Sequence, residues 1–281
     1  MMKTAIRKYE TTPSIYHNRV IMTENEIGFS GIDVLQWERP KISPQIIEKL
    51  FEEHGLECFN NGDEERNGER WFFEQMHEQD IIESIYDVGS SNNSIYTKFA
   101  GEVHYFEPSE RIKELASRAN KNTKSYYSNV GLSDITSDKR KIIWETQHVH
   151  PGHILSPTVF IRTVTGFDYM SKNGFDKIDF VKLDTEGHEL AILKGFKEYL
   201  SNVKIIQFEY GGSAYACDIS LHDIISYLEK FGFCRFSYLA PDRLEPLNWT
   251  KDSVDHYTFC NIVCFNKNYL GEDFFNNVEG L

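Results

Sequence analysis

Three things are scarce in this 281-residue chain, and each scarcity removes a class of function. Long apolar runs are absent: none approaches the ~20 residues that cross a bilayer. The opening MMKTAIRKYETTPS lacks the hydrophobic stretch of a secretory signal, so a cytoplasmic location is expected. Basic charge is short, with 30 Lys and Arg against 43 Asp and Glu and a formal charge of −13. That balance argues against a nucleic-acid partner, whose affinity rests on Lys and Arg displacing counterions. The one compact basic run, Lys139-Arg140-Lys141, reads as a solvated loop edge. Cysteines number five, an odd count with no C-x-x-C pair, which suits reduced thiols and offers zinc no ligand pattern. Cys260 and Cys264 share one face of an expected strand, where small buried hydrophobes are the default.

What the chain does have is material for a core. Hydrophobic residues make up 40 %, and 20 Phe, 15 Tyr and 4 Trp supply large apolar surfaces for an interior and for pocket walls. The first 80 residues are distinct, carrying 16 Asp and Glu against 9 Lys and Arg. Ser43-Pro44 followed by IIEKLFEEHG reads as a capped helix, FNNGDEERNGER as a polar loop, and 71–82 as a second helix. From residue 84 onward, short β-branched or aromatic runs alternate with helical segments, the pattern of a parallel α/β sheet. Strands are expected at 84–88, 102–106, 125–130, 178–183, 203–209 and 233–239, with a last run at 257–265 closing the sheet. Helices are expected at 94–100, 109–120, 189–200 and 220–231. The division that follows is an N-terminal extension over 1–80 and an α/β domain over 81–281.

Two of the strand ends carry the pieces of a nucleotide-type site. In SIYDVGSSN a strand runs through Asp87 into Gly89, where the missing Cβ lets the backbone turn sharply beside a ligand. Glu107 ends the next strand in VHYFEPS, where a carboxylate can accept both hydroxyls of a ribose. A dinucleotide is disfavoured, because G-x-G-x-x-G is replaced here by Gly89, Ser90, Ser91, Asn92 and Asn93. A third segment, IDFVKLDTEGHELAILKG, runs from a buried strand into a helix and delivers Asp184, Glu186 and His188 to the sheet's carboxyl edge. Lys194 in the same helix reads as solvated charge. The strand in KIIQFEYGG brings Glu209 and Tyr210 to the same edge. Like charges converging there require a proton, a cation or a metal as compensation.

Together DVGSSN, HYFEPS, VGLSD and above all FVKLDTEGHELAILKG resemble the FkbM-type family of S-adenosylmethionine-dependent methyltransferases, over about residues 84–212. The resemblance implies a Rossmann-like class I methyltransferase sheet, mostly parallel with an antiparallel last strand. It also implies roles. Asp87, Gly89, Ser90 and Asn93 would line the methionine end of the cofactor, and Glu107 with Pro108 the ribose. The turn from Asn129 to Asp134, with Val130, would meet the adenine; Lys182, Asp184, Glu186 and Glu189 match the most characteristic segment. One departure is Asn93, standing where the family shows a second glycine; Asn tolerates positive φ better than most residues.

Methyl transfer to an alcohol needs its proton to leave, so a base or a metal is expected. Candidates for the base are Asp184, Glu209 and a histidine of QHVHPGH, which holds His148, His150 and His153. Asp184 with Glu209 could instead hold Mg²⁺. The family implies O-methylation of a sugar hydroxyl on a nucleotide-sugar, glycoside or glycan. Two alternatives stand beside it: N-methylation of a small-molecule amine or amide, and a binding module that keeps the fold without catalysis. The 1–80 extension is expected to be a lid over the acceptor or a homodimer contact, because Ile46, Ile47, Leu50 and Phe51 share a helix face.

Overall fold

The structure is a computed structural model, and it describes residues 34–35, 62–64, 66–118, 124–143, 156–250, 253, 255–271 and 274. The expected helix after Ser43-Pro44 and the histidine loop with His148, His150 and His153 lie outside those residues.

The described chain runs β1 (Val34–Leu35), α1 (Glu69–Glu78), β2 (Ser84–Val88), β3 (Glu102–Phe106), α2 (Arg111–Arg118), β4 (Lys124–Ser128) and β5 (Gly131–Leu132). It continues through β6 (Ser137–Ile143), β7 (Ser156–Val164), α3 (Gly166–Asn173), β8 (Ile178–Leu183), α4 (Glu189–Phe196) and β9 (Val203–Tyr210). It closes with α5 (Gly212–Ala216), α6 (Leu221–Glu229), β10 (Phe233–Ala240), β11 (Arg243–Pro246) and β12 (Cys260–Asn266).

The main sheet has eight strands in the order β11-β10-β12-β9-β8-β2-β3-β4. β4, β3, β2, β8 and β9 are parallel, and β12 is antiparallel to both neighbours. The last strand, expected to be antiparallel, is so, and it inserts between β9 and β10. Strand order reverses between β2 and β8, and the carboxyl ends of strands at such a switch point open the crevice in which α/β sheets bind ligands. A smaller sheet, β1-β7-β5 with β6 on β7, stands beside it. Lys139, Arg140 and Lys141 belong to its strand β6, not to a loop. The helix expected over 94–100 is a single 3-10 turn, Ile95–Lys98, and Ser94 caps it by accepting from the Tyr96 N–H.

Alternation along each strand sends side chains to two cores. On one face Ile85, Phe180, Ile205, Val263 and Phe265 pack against Phe72, Phe73 and Met76 of α1. Phe72 lies 6.0 Å from the Phe180 ring and 6.1 Å from Phe265. On the other face Val88, Val181, Leu183, Ile206 and Phe208 pack against Leu193, Phe196, Ile224 and Leu228 of α4 and α6. Cys260 and Cys264 are both buried, as small hydrophobes of this second core. All six residues of β8 are buried, which suits a central parallel strand covered on both faces.

Candidate functional site

The register places Asp87 of β2, Lys182 of β8 and Gln207 of β9 in one row across the sheet, on the α1 side. Asp87 and Lys182 sit one residue and Gln207 three residues before their strands end, so the row lies just under the carboxyl edge. Burial of an ammonium demands compensation, and Lys182 has it: Glu69 and Asp184 at 3.3 Å and Glu64 at 3.5 Å. Burial alone would push the lysine down; Glu69, Asp184, Asp87 and Glu64 outweigh it and hold it well above its ordinary range. Glu69 is 4 % exposed and its oxygens are fully engaged. Oε1 accepts from Asn67 Nδ2 (2.7 Å) and Asn261 Nδ2 (3.2 Å), and Oε2 from Gln207 Nε2 (3.0 Å) besides facing Lys182.

Asp87 is fully buried. Its Oδ2 accepts from Ser94 Oγ at 2.7 Å, and its Oδ1 has no hydrogen-bond partner. Burial raises its carboxyl, opposed by Lys182 and the Ser94 hydroxyl. Gly89 follows at φ 83°, and a Cβ there would stand 1.8 Å from the Asp184 carbonyl oxygen. Only glycine lets the β2 loop cross so close to the end of β8. Ser90 closes the turn by donating its hydroxyl to the Asp87 carbonyl at 2.6 Å. Asn93 does not have positive φ, so the expectation that asparagine here serves as a glycine substitute is corrected. Its side chain instead accepts from the Arg118 guanidinium at 2.6 Å.

Asp184 donates its backbone N–H to Val88 at 3.0 Å, which ties the two strand ends together. Burial pushes its carboxyl up, but Lys182 and a hydrogen bond from Glu209 outweigh it and keep it below the usual carboxylate range. Glu209 shows the reverse. Burial and the neighbouring Asp184 push its carboxyl well up. The charge the pair retains is already met by an ammonium. Among the described residues no group of three or more His, Cys, Asp or Glu side chains is placed to hold a metal. Asp184 is already ion-paired with Lys182, and nothing among the described residues supports the Mg²⁺ considered from sequence.

One strand over, Glu107 follows β3 and is 7 % exposed. Its Oε1 accepts from the Ser109 N–H at 2.7 Å, and its backbone N–H donates to Ser128 at 3.2 Å. Pro108 is half-buried beside it, and Val130 is half-buried against the second core. Asp134, expected near the adenine, is held by Arg140 at 2.9 Å and by the Ser133 hydroxyl at 3.0 Å. The Ser133 hydroxyl in turn meets His188 Nε2 at 2.9 Å. Burial and the Arg140 charge lower His188 to about 4 against the pull of Asp134, so its imidazole is neutral. Glu186 takes φ 55° and Gly187 φ 93°; a Cβ on Gly187 would strike the Ser213 carbonyl at 2.5 Å. Glu189, 2 % exposed, fastens this bend: its Oε1 accepts from Thr185 N–H and Oγ1 at 2.9 Å each and from Gly187 N–H at 3.3 Å.

Of the residues expected from sequence, the structure brings Asp87, Gly89, Ser90, Asp184 and Glu209 to one edge, with Glu107 beside them. The carboxylates missed are Glu64 and Glu69. For Glu69 a signal existed: it stands three, four and seven positions before Phe72, Phe73 and Met76, in phase with the buried face of α1.

A parallel sheet with an inserted antiparallel strand, a glycine turn after the first strand of the switch point and acids at the following strand ends define a class I methyltransferase. Residues 87–234, just over half of the chain, match the family model described as a methyltransferase FkbM domain, and the protein belongs to that family. It is therefore an S-adenosylmethionine-dependent methyltransferase. No curated protein matches the chain at a significant level. Among solved structures, a precorrin-6y C5,15-methyltransferase from Geobacter metallireducens GS-15 is 9 % identical, covering 74 % of this chain and 94 % of its own with a TM-score of 0.37. A human methyltransferase 10 domain containing protein is 9 % identical, with 80 % and 94 % covered and a TM-score of 0.35. Likenesses at these scores say nothing about acceptor or mechanism.

Proposed function

We propose that the protein methylates a sugar hydroxyl, presented on a nucleotide-sugar, a glycoside or a glycan, with Asp184 as the base. The observation that carries this reading is Asp184 at the switch point, kept ionised by an ammonium 3.3 Å away. Bound S-adenosylmethionine supplies a methyl group on a positively charged sulfur. The residues of the chain bind, orient and accept a proton. The open Oδ1 of Asp87 suits a donor on the methionine end, and the second oxygen of Glu107 suits the ribose hydroxyls. Asp184 takes the proton of the acceptor hydroxyl as that oxygen attacks, and Lys182 prevents the new carboxylic acid from forming before the acceptor arrives. Holding two reactants in line is worth ~7–11 kcal/mol of barrier, and a base adds roughly 10²–10⁴-fold.

The acceptor class follows from the family resemblance. An amine acceptor is the second reading, favoured by the excess of acids around Lys182. The 1–80 extension is proposed as a lid over the acceptor or a contact between two copies, and a cytoplasmic location goes with this reading. Incubation with S-adenosylmethionine and a panel of nucleotide-sugars bearing hydroxyl or amino groups, read by product mass, tests it. A gain of one methyl on a hydroxyl-only sugar supports the proposal; methylation of amino-sugars alone replaces it with the second reading.

A further inference from the structure

Four acids, Glu64, Glu69, Asp87 and Asp184, gather around a single ammonium, and they are not equivalent. Glu69 is spent on Asn67, Asn261, Gln207 and Lys182. Asp184 is shared between Lys182 and Glu209. Asp87 is closed on one oxygen by Ser94 and buried with the other unpartnered. Glu64 is different in kind. It reaches the cluster from the turn before α1, outside the matched family segment, meets Lys182 at 3.5 Å, and keeps a quarter of its side chain in solvent. It is thus the carboxylate at the rim of the cluster.

We propose that Glu64 is a specificity residue of the cofactor site, a rim carboxylate that faces the positive sulfur and distinguishes the charged cofactor from its neutral demethylated product. Two independent observations support it. Lys182 cannot balance Glu64, Glu69, Asp87 and Asp184 if all four ionise, and a cationic ligand would favour their ionised forms. Separately, the Oδ1 of Asp87 is buried without a partner, and Asp87 lies within electrostatic reach of Glu64. Burial, with Glu69, Asp87 and Asp184 adding to it and Lys182 opposing, lifts the Glu64 carboxyl to about 7. Its ionised form is therefore costly until a positive charge arrives. Product release gains from the same device: once the methyl is gone the sulfur is neutral, and the attraction that held the cofactor is lost.

The inference rests on the reading that S-adenosylmethionine binds at this edge. Its test is calorimetric titration of the full chain, and of Glu64→Gln and Glu64→Asp, with S-adenosylmethionine and with S-adenosylhomocysteine. Glu64→Gln keeps the shape and removes the charge, and should weaken the charged cofactor about tenfold while changing the neutral product by less than about threefold. Glu64→Asp should retain most of the preference. Equal weakening of both ligands, or no change in either, overturns the inference while leaving the cofactor reading intact. A parent protein that binds neither nucleoside overturns both.

Discussion

The two faces of β8 end in opposite ways. Toward α1, Lys182 and the acids around it leave one carboxylate oxygen unpartnered and one carboxylate at the solvent rim. Toward α4, the bend after β8 is held by its own neighbours: Glu189 takes three donors from Thr185 and Gly187, and Ser133 joins His188 to Asp134. Both sides bury glutamates and both lie at the sheet's carboxyl edge, so neither burial nor position alone identifies chemistry. A carboxylate fastened by its own bend reads as structural, and one with an unpartnered oxygen at the sheet's edge is a candidate for binding a ligand.

The sharpest way to break that contrast is Asp184→Asn. It preserves shape and removes the charge, so the expected result is a loss of roughly 10²–10⁴ in kcat with cofactor affinity changed only modestly. Turnover within a few-fold of the parent would remove Asp184 from the chemical step. The parent protein assayed with chelator present is expected to show no loss that Mg²⁺ restores, since Asp184 is already ion-paired with Lys182.

Next in size is Lys182→Met. Removing one partner of a buried ionic cluster leaves uncompensated charge, at a cost of about 3–5 kcal/mol in unfolding free energy. Pairing it with Glu69→Gln should recover a large part of that loss. If the single variant unfolds in urea within ~1 kcal/mol of the parent, Lys182 does not hold the α1 side together.

Glu107→Ala is expected to weaken S-adenosylmethionine by about 10–100-fold, the loss of one hydroxyl bond to a charged acceptor worth roughly 1.5–3 kcal/mol. Unchanged affinity in a folded variant would move the ribose elsewhere.

Much of this fold can be read from residues alone. The alternation of β-branched runs with helical segments marks the parallel strands, because strands buried on both faces must be apolar throughout, as β8 is. The strand ends at Glu107 and Asp184 are legible for the same reason: a charge directly after such a run emerges at the edge, whereas Asp87 stays buried inside β2. What escapes is everything set by long-range packing. Glu69 meets Gln207 across 138 positions and Asn261 across 192, and no local pattern encodes that pairing. Glu64 looks like one more acid in the polar run FNNGDEERNGER. The 3-10 turn after Ser94 replaces the expected helix because the Ser94 hydroxyl is drawn to Asp87, a tertiary contact that overrides propensity.

The smallest expected effect sharpens the structural side of the comparison. Burial raises the Glu189 carboxyl to about 7 against its hydrogen bonds to Thr185, while an unfolded glutamate titrates near 4.5. The folded state therefore binds this proton more tightly than the unfolded state does. The stability the group contributes is complete below about pH 4.5 and is lost as pH rises through about 7. Glu189→Gln imitates the protonated form and keeps an oxygen for the Thr185 and Gly187 donors. It should match the parent near pH 4.5 and exceed it at pH 8 by about 2–3 kcal/mol. Glu189→Ala, which strands those donors, should be less stable than Glu189→Gln at both pH values by about 1–3 kcal/mol. Urea unfolding of the three proteins at the two pH values decides it, and the difference between parent and Glu189→Gln isolates this carboxyl from Glu64, which titrates in the same direction. A difference that does not change with pH would mean that Glu189 is ionised in the folded protein, and the bend after β8 would then belong with the charged side of the strand.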